Sequence, residues 1–210
     1  MNDAFQTRRA GMTLYSTASC IEGHACRMVL HEKEVECDVE YVDLSANPNW
    51  ITENNPYGES PTLIDRKLVL YGSHIIAEYL DDRLPHPPLM PPDPVNRSRV
   101  RMMVYRAQRD WFTKLRQYEE KKQRPPKPLR DRILRDLCVM AHYFSSQQFW
   151  LEDEFTLVDC FFAPLLWRLP HYGIEIPSQA RVLNTYSHRL FKRVSFARSL
   201  SPYERELQPT

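Results

Sequence analysis

Ser60-Pro-Thr-Leu-Ile-Asp-Arg-Lys-Leu-Val-Leu-Tyr-Gly-Ser73 decides how the first half of the chain is read. Two short apolar runs, Thr62–Ile64 and Leu68–Tyr71, are separated only by Asp65-Arg66-Lys67. So short a break between such runs predicts a β-hairpin. Ser73 follows at once as a candidate helix cap, and Ile76, Tyr79 and Leu80 recur at helical spacing as far as about Asp82. Working upstream, Asn47–Pro56 is polar and turn-rich, with room for at most a short helix near Trp50–Glu53. Val39–Val42 alternates like a strand, His24–Lys33 reads as a helix with Met28 and Val29 inward, and Met12–Tyr15 reads as a strand. The order β-α-β-(α)-β-β-α predicts an α/β domain over residues 11–83, after a loose tail of ten residues.

Downstream the texture changes. Pro85–Pro94 holds six prolines in ten residues, which excludes a helix and favours an extended, semi-rigid connector over residues 84–95. Beyond it, residues 96–210 read as helices. Val100, Val104, Ala107, Trp111, Leu115 and Tyr118 mark one helical face, with Arg97, Arg99, Arg101, Arg106 and Arg109 on the others. Pro125, Pro126 and Pro128 break this helix inside a basic loop, Lys121–Arg130, and a second helix is expected over Asp131–Gln148. Thr156-Leu-Val-Asp159 has the spacing of a capping box, opening a helix through Leu169 that is apolar nearly all round. A last helix is expected over Ala180–Arg193.

Composition restricts the class. The chain has 210 residues, 28 Lys+Arg against 27 Asp+Glu, and a net charge of +1. That total conceals segregation: residues 1–93 carry −8, residues 94–135 carry +10 and residues 136–210 carry −1. Segregated charge steers association, so the distribution is more informative than the sum. No apolar run approaches the roughly 18–20 residues that span a bilayer, and Met1–Gly11 lacks the apolar stretch of a signal peptide. Five cysteines without a Cys-x-x-Cys pair suggest reduced thiols in a cytoplasm. No metal-ligand spacing or phosphate-binding glycine loop is present, so neither a metal nor a nucleotide cofactor is expected.

The βαβ-(α)-ββα order with Ser60-Pro-Thr-Leu63 before the hairpin, followed by an all-α half with a capping box, resembles the cytosolic glutathione transferase fold: a thioredoxin-like domain and a helical domain. Three longer strings are more particular. These are Arg27-Met-Val-Leu-His-Glu-Lys33, the run from Tyr79 through Pro85-His-Pro-Pro-Leu-Met-Pro91, and Asp153–Cys160 continuing through Ala163–Pro170 to Ile176. Over about residues 12–206 the chain resembles the stringent starvation protein A family, bacterial RNA polymerase-associated regulators of that fold. The resemblance implies a homodimer without transferase activity that docks on RNA polymerase holoenzyme near the sigma factor. It implies a partner pocket of exposed residues at Leu84, Pro85, His86, Pro87 and Leu89, where His86 offers hydrogen bonding or a pH-responsive charge. Asp93 stands where that family often has tyrosine.

The same resemblance places the positions of a glutathione site. Pro61 falls where the fold keeps a cis-proline that exposes the backbone of Ser60. Ser73 falls where a helix N-terminus would hold the ligand's carboxylate, but Gly72 replaces the usual acid before it. Cys20 stands where thiol-type members carry a nucleophile, yet Ile21 follows it instead of proline, and His24 is the only base in view. Tyr15 and Ser16 lie near the positions used by hydroxyl-type transferases. The expectation is therefore a vestigial site at Ser60, Pro61 and Ser73 with no cofactor. The alternative is a glutathione-dependent transferase or thiol-disulfide enzyme using Cys20 or Ser16. The basic stretch Arg97–Arg135 fits an acidic partner, promoter phosphates beside the polymerase, or the acidic domain of a second subunit.

Overall fold

In a computed structural model, residues 11–46, 49–121, 123–141, 144, 147–151 and 154–207 are described; the ten-residue tail and Asn47 lie outside them. Strand β1 (Met12–Ser16) is buried along its whole length, as a strand covered on both faces must be. It pairs in parallel with β2 (Asp38–Tyr41) and antiparallel with β3 (Thr62–Asp65), which pairs antiparallel with β4 (Leu68–Tyr71), giving the order β2-β1-β3-β4. The expected hairpin is present. Asp65 pairs with Leu68, so the turn narrows to Arg66 and Lys67, with Arg66 at φ 55°. β2 lies one residue earlier than the alternation suggested.

Helix α1 (Ile21–Glu32) starts three residues before the expected His24. The reason is local: the Cys20 Sγ accepts from the Gly23 amide at 3.2 Å and caps the helix. A Cβ at Gly23 would lie 1.9 Å from the Ser16 Oγ, so glycine lets α1 sit flush on the end of β1. Short helix α2 spans Asn49–Asn54. α3 (Ser73–Arg83) corrects the capping expectation: Gly72, at φ 83°, is the N-cap, and Ser73 is the first helical residue.

The basic helix is longer and less regular than its spacing indicated. α4 (Pro94–Ala107) begins with proline in its first turn, where no backbone donor is missed, and Asp93 caps it by accepting from the Asn96 amide at 2.8 Å. A π-helical turn over Gln108–Phe112 then leads into α5 (Thr113–Glu120), keeping Trp111, Phe112 and Leu115 buried. α6 spans Lys127–Met140, not Asp131–Gln148: Pro128 sits in its first turn, and Gln147 and Gln148 are not helical. α7 (Leu157–Tyr172) carries the capping box and runs three residues past Leu169 to Gly173, which stops it at φ 69°. α8 (Arg181–Phe191), α9 (Val194–Ser199) and α10 (Pro202–Arg205) complete the chain; the last two were not expected. α1 packs on α3, α7 and α9, so one helix of the first domain contacts the centre of the second.

Candidate functional site: an interdomain cleft and a pinned connector

A cleft of about 600 Å³ opens between the domains, lined by Cys20 and Ser60 on one side and Arg116, Glu119 and Glu120 on the other. It is the position that the cysteine and the proline turn pointed to, and the Ser60–Pro61 bond is cis. The residues there are engaged with one another. The Cys20 thiol donates to the Ser60 carbonyl at 3.6 Å, and burial, aided by the charge of Glu22, pushes it up to about 11. At neutral pH it is a thiol, whereas the nucleophile is a thiolate. His24 provides no base. Its ring is fully buried, with Nδ1 3.0 Å from Arg168 Nη1 and Nε2 3.0 Å from the Ser199 Oγ. Burial above all, with help from Arg168 and Arg27 against Glu204, lowers its pKa to about 3. The ring is therefore neutral, Nδ1 accepts from the guanidinium and Nε2–H donates to the serine.

Ser16 is fully buried; its hydroxyl donates to the Thr17 carbonyl at 2.9 Å and accepts from Arg27 at 3.3 Å. Tyr15 is core. Ser73 is fully buried too. Its hydroxyl accepts from Gln108 at 2.7 Å and donates to the Glu22 carboxylate at 3.4 Å, and Arg116 holds that carboxylate at 3.0 Å. A carboxylate from the chain's own α1 thus takes the hydroxyl at the N-terminus of α3. Arg116 also pairs with Glu59 at 2.7 Å, while Asp43, Glu59, Glu119 and Glu120 all face the cleft. Carboxylates thus outnumber guanidiniums in its lining.

The connector is arranged differently. Pro85, His86, Pro87 and Pro88 are exposed, Leu84 is half-buried, and the His86–Pro87 bond is cis. Leu89 is 2% exposed, which corrects its place in an exposed pocket: it is an anchor, packed in the core beside Met90. Asp93, which stands where the family often has tyrosine, caps α4. Three groups fix the segment from beneath. The buried Lys33 ammonium donates to the Pro87 carbonyl and to Asp81, each at 2.5 Å. Asp81 accepts from the Leu89 amide at 2.8 Å and the Met90 amide at 3.1 Å, and the Leu157 amide donates to the Leu89 carbonyl at 2.9 Å. Lys33 and Asp81 carry no local sequence signal, since the pair closes only in the fold.

Behind the cleft lies a buried charge network. Glu204 accepts two hydrogen bonds from Arg27, at 2.8 and 2.7 Å, and pairs with Arg168, which also pairs with Glu119 at 2.8 Å. Glu119 accepts from Tyr172 at 2.5 Å. Two cations meet two carboxylates, as burial requires. Among the described residues, no group of His, Cys, Asp and Glu could hold a metal ion, and no helix is long and apolar enough to cross a membrane.

Two domain families match the chain: the glutathione S-transferase N-terminal domain over residues 10–82 and the C-terminal domain over residues 86–193. An epsilon-class glutathione S-transferase from the housefly, Musca domestica, superposes with a TM-score of 0.83 at 19% identity, covering 93% of this chain and 94% of that one. The fold is thus that of the glutathione transferases. Within it, a stringent starvation protein A homolog of Coxiella burnetii is 43% identical over 202 residues, covering 96% of this chain and 97% of that protein. One from Haemophilus influenzae is 40% identical, covering 92% of each. The chain belongs to the stringent starvation protein A family. Glutathione S-transferase omega-2 of Rattus norvegicus is 28% identical over 77% of this chain and 66% of that protein.

Proposed function

We propose that this chain is a non-enzymatic transcription regulator of the bacterial cytoplasm that docks on RNA polymerase near the sigma factor and alters promoter use during starvation and acid stress. The observation that carries the reading is the connector: exposed Pro85–Pro88 held from beneath by Lys33, Asp81 and Leu157. A surface already fixed before contact loses little conformational freedom on binding, which favours affinity. Membership of the starvation-protein family supports the same partner. No cofactor takes part. A second copy of the chain is part of the reading, because α3 leaves Ile75 exposed and α4 leaves Val95, Met102 and Tyr105 exposed.

The omega-class relative favours a second reading, a glutathione-dependent enzyme acting through Cys20 or Ser16. The protonated thiol, the neutral His24, the buried Ser16 and the excess of carboxylates lining the cleft all weigh against it. Tagged protein should co-purify with polymerase, the Cys20→Ser variant should do so equally, and replacement of Pro85, His86 and Pro87 by alanine should abolish it. Thiol transfer to glutathione that vanishes in Cys20→Ser would overturn the proposal, as would the absence of polymerase from the wild-type eluate.

A further inference from the structure

Arg124, which precedes α6, and Arg130, in its second turn, take no part in the connector or the cleft. They meet elsewhere. A Cβ at Gly173, where α7 ends, would lie 3.0 Å from Nη1 of Arg130 and 3.5 Å from Nη1 of Arg124, so both guanidiniums converge on one point. Like charges repel unless something compensates them. Among the described residues, neither arginine has a carboxylate within ion-pair distance. One donor is accounted for: Arg130 Nη1 donates to the Gly173 carbonyl at 3.0 Å, an ordinary way to satisfy a helix end. The remainder is not. Arg130 Nε is buried without an acceptor, and Arg124 is exposed. Arg124 also lies near His171 of α7, whose pKa is held below its ordinary value by burial first and then by Arg168 and Arg124.

These guanidiniums line a groove of about 580 Å³ together with residues of α7 and α8. Its floor is apolar, formed by Leu169, Ile174 and the half-buried Phe191. Asn184 and His188 of α8 add polar groups, and Glu175 is the one carboxylate among the described lining residues. The volume falls in the usual range for small-molecule sites, and an apolar bed with a few convergent donors is their common construction.

We propose that this groove binds a small amphiphilic anion, with a carboxylate, sulfonate or phosphate head on Arg124 and Arg130 and an aromatic or aliphatic body along Leu169, Ile174 and Phe191. The head completes the donors that the fold leaves over, and the body covers the apolar floor. Neither the vestigial glutathione positions nor the polymerase-facing connector takes part, so the proposal stands independently of the docking function.

Fluorescence titration of the full chain with anilinonaphthalene sulfonate tests it, with the uncharged phenylnaphthylamine as a partner probe. Loss of a charge-assisted hydrogen bond to the head should make Arg124→Gln bind the sulfonate about tenfold or more weakly and leave the uncharged probe unchanged. Among the described residues Arg124 makes no hydrogen bond or ion pair, so this variant reports even if Arg130→Gln destabilises the end of α7. Amide shifts at Gly173 and Ile174 on titration should mark the site. Equal sulfonate affinity in wild type and Arg124→Gln, or shifts confined to the Cys20 cleft, would overturn the proposal. So would inorganic phosphate alone binding as tightly as the sulfonate, because the apolar floor would then contribute nothing.

Discussion

Lys33 is the last-turn cap of α1, and its ammonium is wholly buried against Asp81. The nearby backbone turns this pair into a device. Without Lys33, the Pro87 carbonyl loses its donor and Asp81 becomes an uncompensated buried charge holding only the Leu89 and Met90 amides. Removing one partner of a buried ion pair costs about 3–5 kcal/mol, far more than the pair itself contributes. Lys33→Met should therefore lower the urea midpoint strongly, and adding Asp81→Asn should recover part of the loss. If the pair positions the connector, amide exchange at Leu89 and Met90 should accelerate in Asp81→Ala more than exchange along β1 does. Uniform acceleration throughout the first domain would instead mark the pair as general stabilisation.

At the scale of elements, α7 shows what a local motif accomplishes in a global setting. Asp159 accepts from the Thr156 amide at 2.8 Å, the Thr156 hydroxyl at 3.1 Å, the Trp150 amide at 3.1 Å and the Tyr186 hydroxyl at 2.5 Å. Burial raises its pKa, and these donors oppose that effect by stabilising the carboxylate. Ordinary caps contribute about 0.5–2 kcal/mol. Because Asp159→Ala also orphans Tyr186 and Trp150, it should cost roughly 2–4 kcal/mol by denaturation, clearly more than Thr156→Ala. Equal losses would mean that the bonds to α8 and the preceding loop contribute nothing. The capping box was legible because its partners are three residues apart, and so was the hairpin, whose strands flank one turn. The π-helical turn at Gln108–Phe112 was not, because a helical face that keeps its spacing conceals one extra residue in a turn. Nor were α9 and α10, which depend on Arg27 and Arg168 reaching Glu204 from far along the chain. The site divides in the same way. Position singled out Cys20, Pro61 and the connector, whereas Glu22 against Ser73 and Lys33 against Asp81 appear only after folding. Leu89 was misplaced because an apolar residue inside a proline run gives no sign of which way it turns.

The molecule as a whole answers the charge imbalance of its halves partly within itself. Arg101 pairs with Glu78 at 2.7 Å, Arg97 with Asp82 at 3.7 Å, and Arg116 with Glu22 and Glu59. The exposed pairs contribute little, so cohesion between the domains rests on the buried network. His24 sits inside it, on α1, facing Arg168 of α7, Glu204 of α10 and Arg27 of its own helix. Its pKa is about 3 in the fold against 6.5 ordinarily. Below pH 6.5 the unfolded chain takes up a proton that the folded chain refuses, so His24 favours folding at neutral pH and its contribution falls as the medium acidifies towards pH 3. Burial would raise Glu204, but the guanidiniums of Arg27 and Arg168 hold it at about 2, so it loses its contribution as the pH falls below its ordinary 4.5. Glu22, Glu119 and Asp159, all raised by burial, act with the opposite sign, so the total profile does not isolate the network. A difference does. His24→Gln keeps an acceptor for Arg168 and a donor for Ser199 but cannot titrate. Between pH 7.5 and 4.5 the wild type should lose about 2–3 kcal/mol relative to this variant, read from paired urea unfolding curves. A gap that stayed constant over that range would mean that His24 charges inside the fold as readily as in water, and the neutral ring bridging Arg168 and Ser199 would have to be given up.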